Sequence, residues 1–131
     1  MQIHQSAEDY LETILMLTQR MGRVRSIDVV NELGYTKASV SIAMKKLREN
    51  GYIAVDGEGN LTLLEPGREI AERIYSRHRL LTHFFVQLGV DADVAAEDAC
   101  KAEHILSEQT LKKIREYALL HDAEDSVQRS E

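Results

Sequence analysis

A chain of 131 residues and 14.9 kDa has room for one compact domain or two small ones sharing a core. With 44% hydrophobic and 29% charged residues it has the balance of a soluble globular protein. No apolar run approaches the roughly 18 residues needed to span a bilayer. Residues 1–4 show no basic patch leading into an apolar stretch, so no secretory signal is expected. The single cysteine, Cys100, excludes a disulfide scaffold and points to a reducing cytoplasm. The net charge of −6 argues against a nucleic-acid binder until its distribution is considered. Residues 23–55 carry six basic and three acidic side chains, whereas residues 89–131 carry five basic and eleven acidic ones. A basic module is hidden in an acidic chain.

The first predicted helix spans 6–21, with Tyr10, Leu11, Ile14, Leu15 and Leu17 at helical spacing, Ser6 as its cap and Gly22 as its stop. A second helix starts after Ser26, buries Ile27, Val29, Val30 and Leu33, and ends at Gly34. Thr36 caps a third over 37–50, whose Val40, Met44 and Leu47 face the core at i, i+4, i+7. The period then changes to that of two short strands, Tyr52–Val55 and Leu61–Leu64, joined by the turn Asp56–Asn60. Pro66 opens a long helix to about residue 87, carrying Ile70, Ile74, Leu81, Phe84 and Phe85, which Gly89 closes. Asp91 or Asp93 caps a helix over 94–106, and Ser107 caps a last one over 108–119. From Asp122 the chain is polar without an apolar face, the pattern of a disordered tail.

Helix, helix, short turn, helix, hairpin is the order of a winged helix-turn-helix, whose third helix reads the major groove. Thr36, Ser39 and Ser41 bring small hydroxyls near the start of that helix. Lys37, Lys45, Lys46 and Arg48 supply charge for phosphates, with Arg25 and Arg23 adding to it from the preceding turn. The acidic wing tip is a poor phosphate binder. The plain alternative is a small α+β domain with an amphipathic third helix.

Three groups have the spacing of metal ligands: Asp9 and Glu12 at i, i+3; His78; and Cys100, Glu103 and His104 at i, i+3, i+4. Thiolate, carboxylate and imidazole together suit a borderline divalent ion such as Fe²⁺, Mn²⁺, Co²⁺ or Zn²⁺. Each group also has a plainer reading. Asp9 and Glu12 complement a helix dipole, His78 is an ordinary histidine, and Cys100 is a small hydrophobe. Cys100 with His104 also has the spacing of a thiol nucleophile and its base, but lacks an orienting third group or an oxyanion donor.

Five stretches carry a family resemblance: Ala7-Glu-Asp-Tyr-Leu-Glu-Thr-Ile14, Lys37-Ala-Ser-Val-Ser41, Lys46-Leu-Arg-Glu-Asn-Gly-Tyr52, Arg77-His-Arg-Leu-Leu81 and Ala99-Cys-Lys-Ala-Glu-His-Ile-Leu-Ser107. In that order the chain resembles, over residues 5–118, the metal-dependent repressors of the diphtheria toxin repressor and manganese transport regulator family. The resemblance implies a mainly α protein, with a winged-helix DNA-binding domain over 1–65 and a helical metal-binding and dimerisation domain over 66–121, before the tail at 122–131. It implies a cytoplasmic homodimer, not an enzyme, that binds near-palindromic operator DNA when metal is bound where the two domains meet. Asp9, Glu12, His78, Cys100, Glu103 and His104 match the family's ligand positions. The sequence stops where longer members continue into a further SH3-like domain, so the short, manganese-regulator type is expected.

Two departures make the ligand set a hybrid. The manganese branch has Glu where this chain has Cys100, and the iron branch has Met where it has Asp9. Thr82 and Ala96 replace the Glu and His of the iron branch's ancillary site, so that site is expected to be absent or rebuilt with His83 or Glu97. The thiolate tilts the expected ion to Fe²⁺, with Mn²⁺ close behind, while Zn²⁺ or Co²⁺ would bind in the test tube. The alternative function is a winged-helix regulator that responds to a small organic ligand or to oxidation of Cys100.

Overall fold

The computed structural model describes residues 5–130, with side chains described for 6–123. Residues 1–4, on which the signal-peptide expectation rests, and Glu131 lie outside the described residues. Six helices and one hairpin follow the predicted order: α1 Gln5–Met21, α2 Ser26–Leu33, α3 Lys37–Glu49, β1 Ile53–Val55, β2 Leu61–Leu63, α4 Glu65–Gln87, α5 Ala92–Ala102 and α6 Glu108–Ser130. No helix among the described residues is long and apolar enough to cross a membrane.

The chain packs as two compact units, one running through Ile74 and the other starting at Tyr75. The core of the first is built from the faces that periodicity marked. Leu11, Ile14, Leu15 and Leu17 of α1, Val29 of α2, and Val40, Met44 and Leu47 of α3 are all buried. Ile27 differs: α2 turns it outward and leaves it exposed. α2 ends as expected, with Gly34 in the left-handed region (φ 72°) donating its N–H to the Val30 carbonyl at 2.8 Å. Thr36 Oγ1 accepts the Ser39 N–H at 3.1 Å and so fixes the start of α3. Ser6 lies inside α1, one residue past its first, so it is not the cap the sequence suggested. α2 begins at Ser26 itself, with Arg25 as N-cap; the Arg25 N–H is taken by Asp28 Oδ2 at 2.9 Å.

The hairpin pairs antiparallel in the register Ile53–Leu63, Ala54–Thr62, Val55–Leu61. Residues 24–25 lie along its outer edge, where Leu61 N donates to Val24 O at 2.7 Å and Arg25 bridges to Asn60. The boundary between units falls within α4, later than the predicted 65/66, because the first turns of α4 belong to the first core. Ala71 and Ile74 are fully buried, and at Gly67 the helix runs so close to the hairpin that a Cβ would overlap the Tyr52 carbonyl oxygen.

In the second unit Leu81, Ala99 and Leu111 form a small buried cluster, flanked by Leu80, Phe85, Ala102, Leu106 and Ile114. Two elements depart from expectation here. α5 stops at Ala102, four residues early, and in the turn that follows Arg77 Nη1 donates to the Glu103 carbonyl at 3.3 Å. α6 runs to Ser130, well past the predicted 119, and replaces the expected disordered tail. No Gly or Pro interrupts residues 108–130, and α4 holds its middle: His83 Nε2 lies 2.9 Å from Asp122 Oδ1, and Gln87 Nε2 donates to the Ala118 carbonyl at 3.2 Å. The caps at its start are as read, Ser107 Oγ accepting the Thr110 N–H at 3.2 Å.

Candidate functional site

In the second unit three of the six expected ligands meet. Glu103 is completely buried, just past the end of α5. Its Oε2 lies 3.2 Å from His78 Nδ1 on α4, and its Oε1 lies 3.4 Å from His104 Nε2, on a side chain only 2% exposed. Neither Glu103 oxygen nor His78 Nδ1 makes a hydrogen bond among the described residues, although all three atoms are buried. A carboxylate taken out of water without hydrogen bonds is costly, and the cost is removed when a cation sits among its lone pairs. Ring nitrogens converging on the same oxygens make this a donor set for a divalent ion of borderline character. The residues therefore fit a metal.

Of the other three expected ligands, two lie on α1 and one on α5. In the first unit, Asp9 is half-buried and Glu12 buried on α1, beside the core residues Leu11 and Ile14. Cys100 is exposed on α5. α5 ends at Ala102 with Glu103 as its C-cap, still in the right-handed helical region and donating its N–H to the Ala99 carbonyl at 3.0 Å, so Cys100 and Glu103 remain one turn apart; His104 sits in the turn that follows. The turn itself is braced by Arg77, which pairs with Glu108 as well as bonding the Glu103 carbonyl. Sequence reasoning passed over Arg77 as a ligand-neighbour. Its signal was an arginine adjacent to His78, visible only as one more charge on a helix. Of the residues considered for an ancillary site, His83 is engaged with both Asp122 oxygens, at 2.9 and 3.0 Å, and Glu97 is exposed.

The residues expected to contact DNA all belong to the first unit. Thr36, Lys37, Ser39, Ser41, Lys45, Lys46 and Arg48 are exposed in and just before α3. Thr36 is partly committed, since its hydroxyl caps the helix and donates to Ser39 Oγ at 2.9 Å. Lys45 is 4.0 Å from Glu49, a loose surface pair. Arg25 is held at the wing, its Nε donating to the Glu58 carbonyl at 3.0 Å. The wing tip is tightly built: Asp56 Oδ1 accepts the N–H groups of Glu58 and Asn60, each at 2.9 Å. The Asn60 amides, backbone first and side chain second, hold the Asp56 carboxyl below its ordinary pKa. Tyr10 packs edge-on against Tyr35, with ring centroids 5.9 Å apart, and its phenol is pushed up by burial first, then by Tyr35 and Asp9.

A helix-turn-helix with its wing, followed by a helical unit that buries an ion-seeking carboxylate between two imidazoles, defines a metal-responsive DNA-binding regulator. Residues 2–61 match the N-terminal DNA-binding domain of iron-dependent repressors, and residues 64–121 match their metal-binding and dimerisation domain. The chain belongs to the iron-dependent repressor family, that of the diphtheria toxin repressor and the manganese regulators, and it is a transcriptional regulator of that family rather than an enzyme. An uncharacterized HTH-type transcriptional regulator of Methanocaldococcus jannaschii is 34% identical over 113 residues, 85% of this chain and 90% of its own. The HTH-type transcriptional regulator MntR of Bacillus subtilis is 31% identical over 121 residues, 92% of this chain and 85% of its own. Among solved structures, a manganese-dependent transcriptional repressor in complex with manganese superposes with a TM-score of 0.78 at 29% identity, over 86% of this chain and 52% of that one. The chain thus spans about half the length of that structure.

Proposed function

We propose that this chain is a cytoplasmic homodimer that represses genes of divalent-metal homeostasis by binding a near-palindromic double-stranded operator when it holds Fe²⁺ or Mn²⁺. The observation that carries the metal dependence is the fully buried Glu103 carboxylate between His78 and His104, with no hydrogen bond to offset its desolvation. In this proposal Asp9 and Glu12 of α1 and Cys100 of α5 complete the ligand set, as the family pattern implies. A bound ion would supply the positive charge that offsets the buried Glu103 carboxylate and the carboxylates that would join it. Ligands drawn from both units would tie the DNA-reading unit to the dimerising one. That restricts how far apart two recognition helices can stand, so operator binding carries less of the ordering cost. On the operator, Lys37, Lys45, Lys46 and Arg48 neutralise phosphates while Thr36, Ser39 and Ser41 approach base edges or backbone, and Arg25 supports the wing.

The test is Glu103→Gln, which keeps the shape and removes the charge. Mn²⁺ affinity, read from the electron paramagnetic resonance of free ion, should fall by more than the roughly 10- to 100-fold typical of outer-sphere changes. Metal-dependent operator binding should be lost while helix content is kept. Unchanged Mn²⁺ affinity would place the site elsewhere. The exposure of Cys100 favours one second reading, control by thiol oxidation. Oxidant-sensitive operator binding in metal-free protein, abolished by Cys100→Ser, would select it.

A further inference from the structure

Arg77 stands next to His78 on α4, and its side chain is only 15% exposed. Its guanidinium reaches the turn between α5 and α6 at two places. Nη1 donates to the Glu103 carbonyl at 3.3 Å, and Nη2 pairs with the Glu108 carboxylate. Glu103 closes α5 and Glu108 opens α6, so one planar fork clasps both ends of the turn. Inside that clasp lie the buried Glu103 carboxylate and the His104 ring 3.4 Å from it. The Glu103 carbonyl belongs to the end of a helix, where a C=O has no intrahelical partner and needs a donor. Neighbouring positions on a helix point about 100° apart, so α4 meets Glu103 from two directions. Arg77 holds its backbone, and His78 Nδ1 lies 3.2 Å from its carboxylate.

Resting on the metal-binding reading above, we infer that Arg77 is a positioning residue for the metal centre: by clasping the turn it holds Glu103 and His104 in the arrangement that, with His78, accepts a divalent ion. Two effects of the guanidinium oppose each other. As a charge near a cation site it repels the ion, so its removal would raise affinity. As a clasp it keeps the donor atoms converged before the ion arrives, so its removal lowers affinity, by about 10- to 100-fold as for other outer-sphere partners. The clasp wins, because the Glu108 carboxylate offsets the charge while the bond to the Glu103 backbone stays.

The full-length protein is compared with Arg77→Met, which keeps the stem and removes the fork, and with Arg77→Lys, which keeps the charge but offers a single point donor. Mn²⁺ affinity, read from the electron paramagnetic resonance of free ion, should fall about 10- to 100-fold in Arg77→Met and by a smaller factor in Arg77→Lys. The visible spectrum of bound Co²⁺, which reports coordination geometry, should change in both. In metal-free protein the amides of Ile105 and Leu106, which donate to the Ala102 carbonyl at 3.1 and 3.3 Å, should exchange faster. Should Arg77→Met fail to fold, Arg77→Lys carries the test alone. Mn²⁺ affinity at or above wild type in either folded variant would overturn the inference, since the fork would then not be needed. A fall in affinity with a wild-type Co²⁺ spectrum would overturn it too, because Arg77 would then brace the fold and not the ligands. Each of these results would leave the metal site itself standing. A wild type that binds no Mn²⁺, or a Glu103→Gln variant with undiminished affinity, would instead overturn the metal reading.

Discussion

Glu103 shows how one residue can carry a site. Its carboxylate is fully buried, and its neighbours offer ring nitrogens rather than a ladder of amide donors. Cys100 is the residue that sets ion preference in the proposed ligand set. With Co²⁺ bound to reduced protein, a coordinated thiolate should give a near-ultraviolet charge-transfer band. Cys100→Glu should erase it and shift operator activation towards Mn²⁺, because a hard carboxylate replaces a soft thiolate. Absence of the band in cobalt-saturated wild type would remove Cys100 from the ligand set and the preference for Fe²⁺ with it. At the wing, Asp56 makes a separate prediction. Its folded pKa is depressed, so its stabilising contribution is present above the unfolded aspartate value, near 3.8, and is lost as pH falls through the lower folded value. Amide exchange protection of Glu58 and Asn60, measured down a pH series, should fall in that acidic window in wild type. Asp56→Asn should lose the pH dependence.

At the scale of elements, α3 is positioned by three features: the Thr36 cap, the buried row Val40, Met44, Leu47, and the hairpin that follows it. All three are legible in sequence, since each is a local pattern. Exposed Lys45 and Lys46 remain available to phosphates. Lys45→Ala and Lys46→Ala should each weaken binding to all duplexes alike and lower the salt slope by about one. Unchanged slopes would exclude phosphate contact. Gly67 is a requirement that no pattern announces. Its backbone is not in the left-handed region; the constraint is the Tyr52 carbonyl lying where a side chain would begin. Gly67→Ala should destabilise the protein by about 1–3 kcal/mol through overpacking, measured by urea denaturation. A change below about 0.5 kcal/mol would show that α4 can shift off the hairpin at little cost. The bracing of the turn after α5 is of the same kind, because it depends on Arg77 arriving from another helix.

For the whole molecule, the second unit exposes a set of large apolar side chains, among them Val86, Leu88, Val94, Ile105, Leu119 and Leu120. That excess fits a dimerisation domain, which the family match assigns here. Sedimentation should show a dimer at micromolar concentration with or without metal, with metal raising operator affinity rather than creating the dimer. A monomer under both conditions would remove the two-helix operator mechanism. Leu119→Glu with Leu120→Glu should weaken association without unfolding the protomer, because both side chains are more than 60% exposed.

The sequence alone determined the order of elements, the winged-helix class and the buried faces of α1 and α3. These follow from periodicity, caps and turn residues, which act over a few neighbours. It also named the metal-ligand candidates, through residue types that few other chemistries need together. Tertiary structure decided what depends on distant partners. Arg77 braced the turn after α5, His83 and Gln87 anchored a helix that composition read as a tail, and Gly67 let the start of α4 pack into the first core. The donor to the Glu103 carbonyl and the anchors of α6 come from residues more than 20 positions away, and the backbone that Gly67 meets from residues well outside its own turn. No window of local sequence contains them.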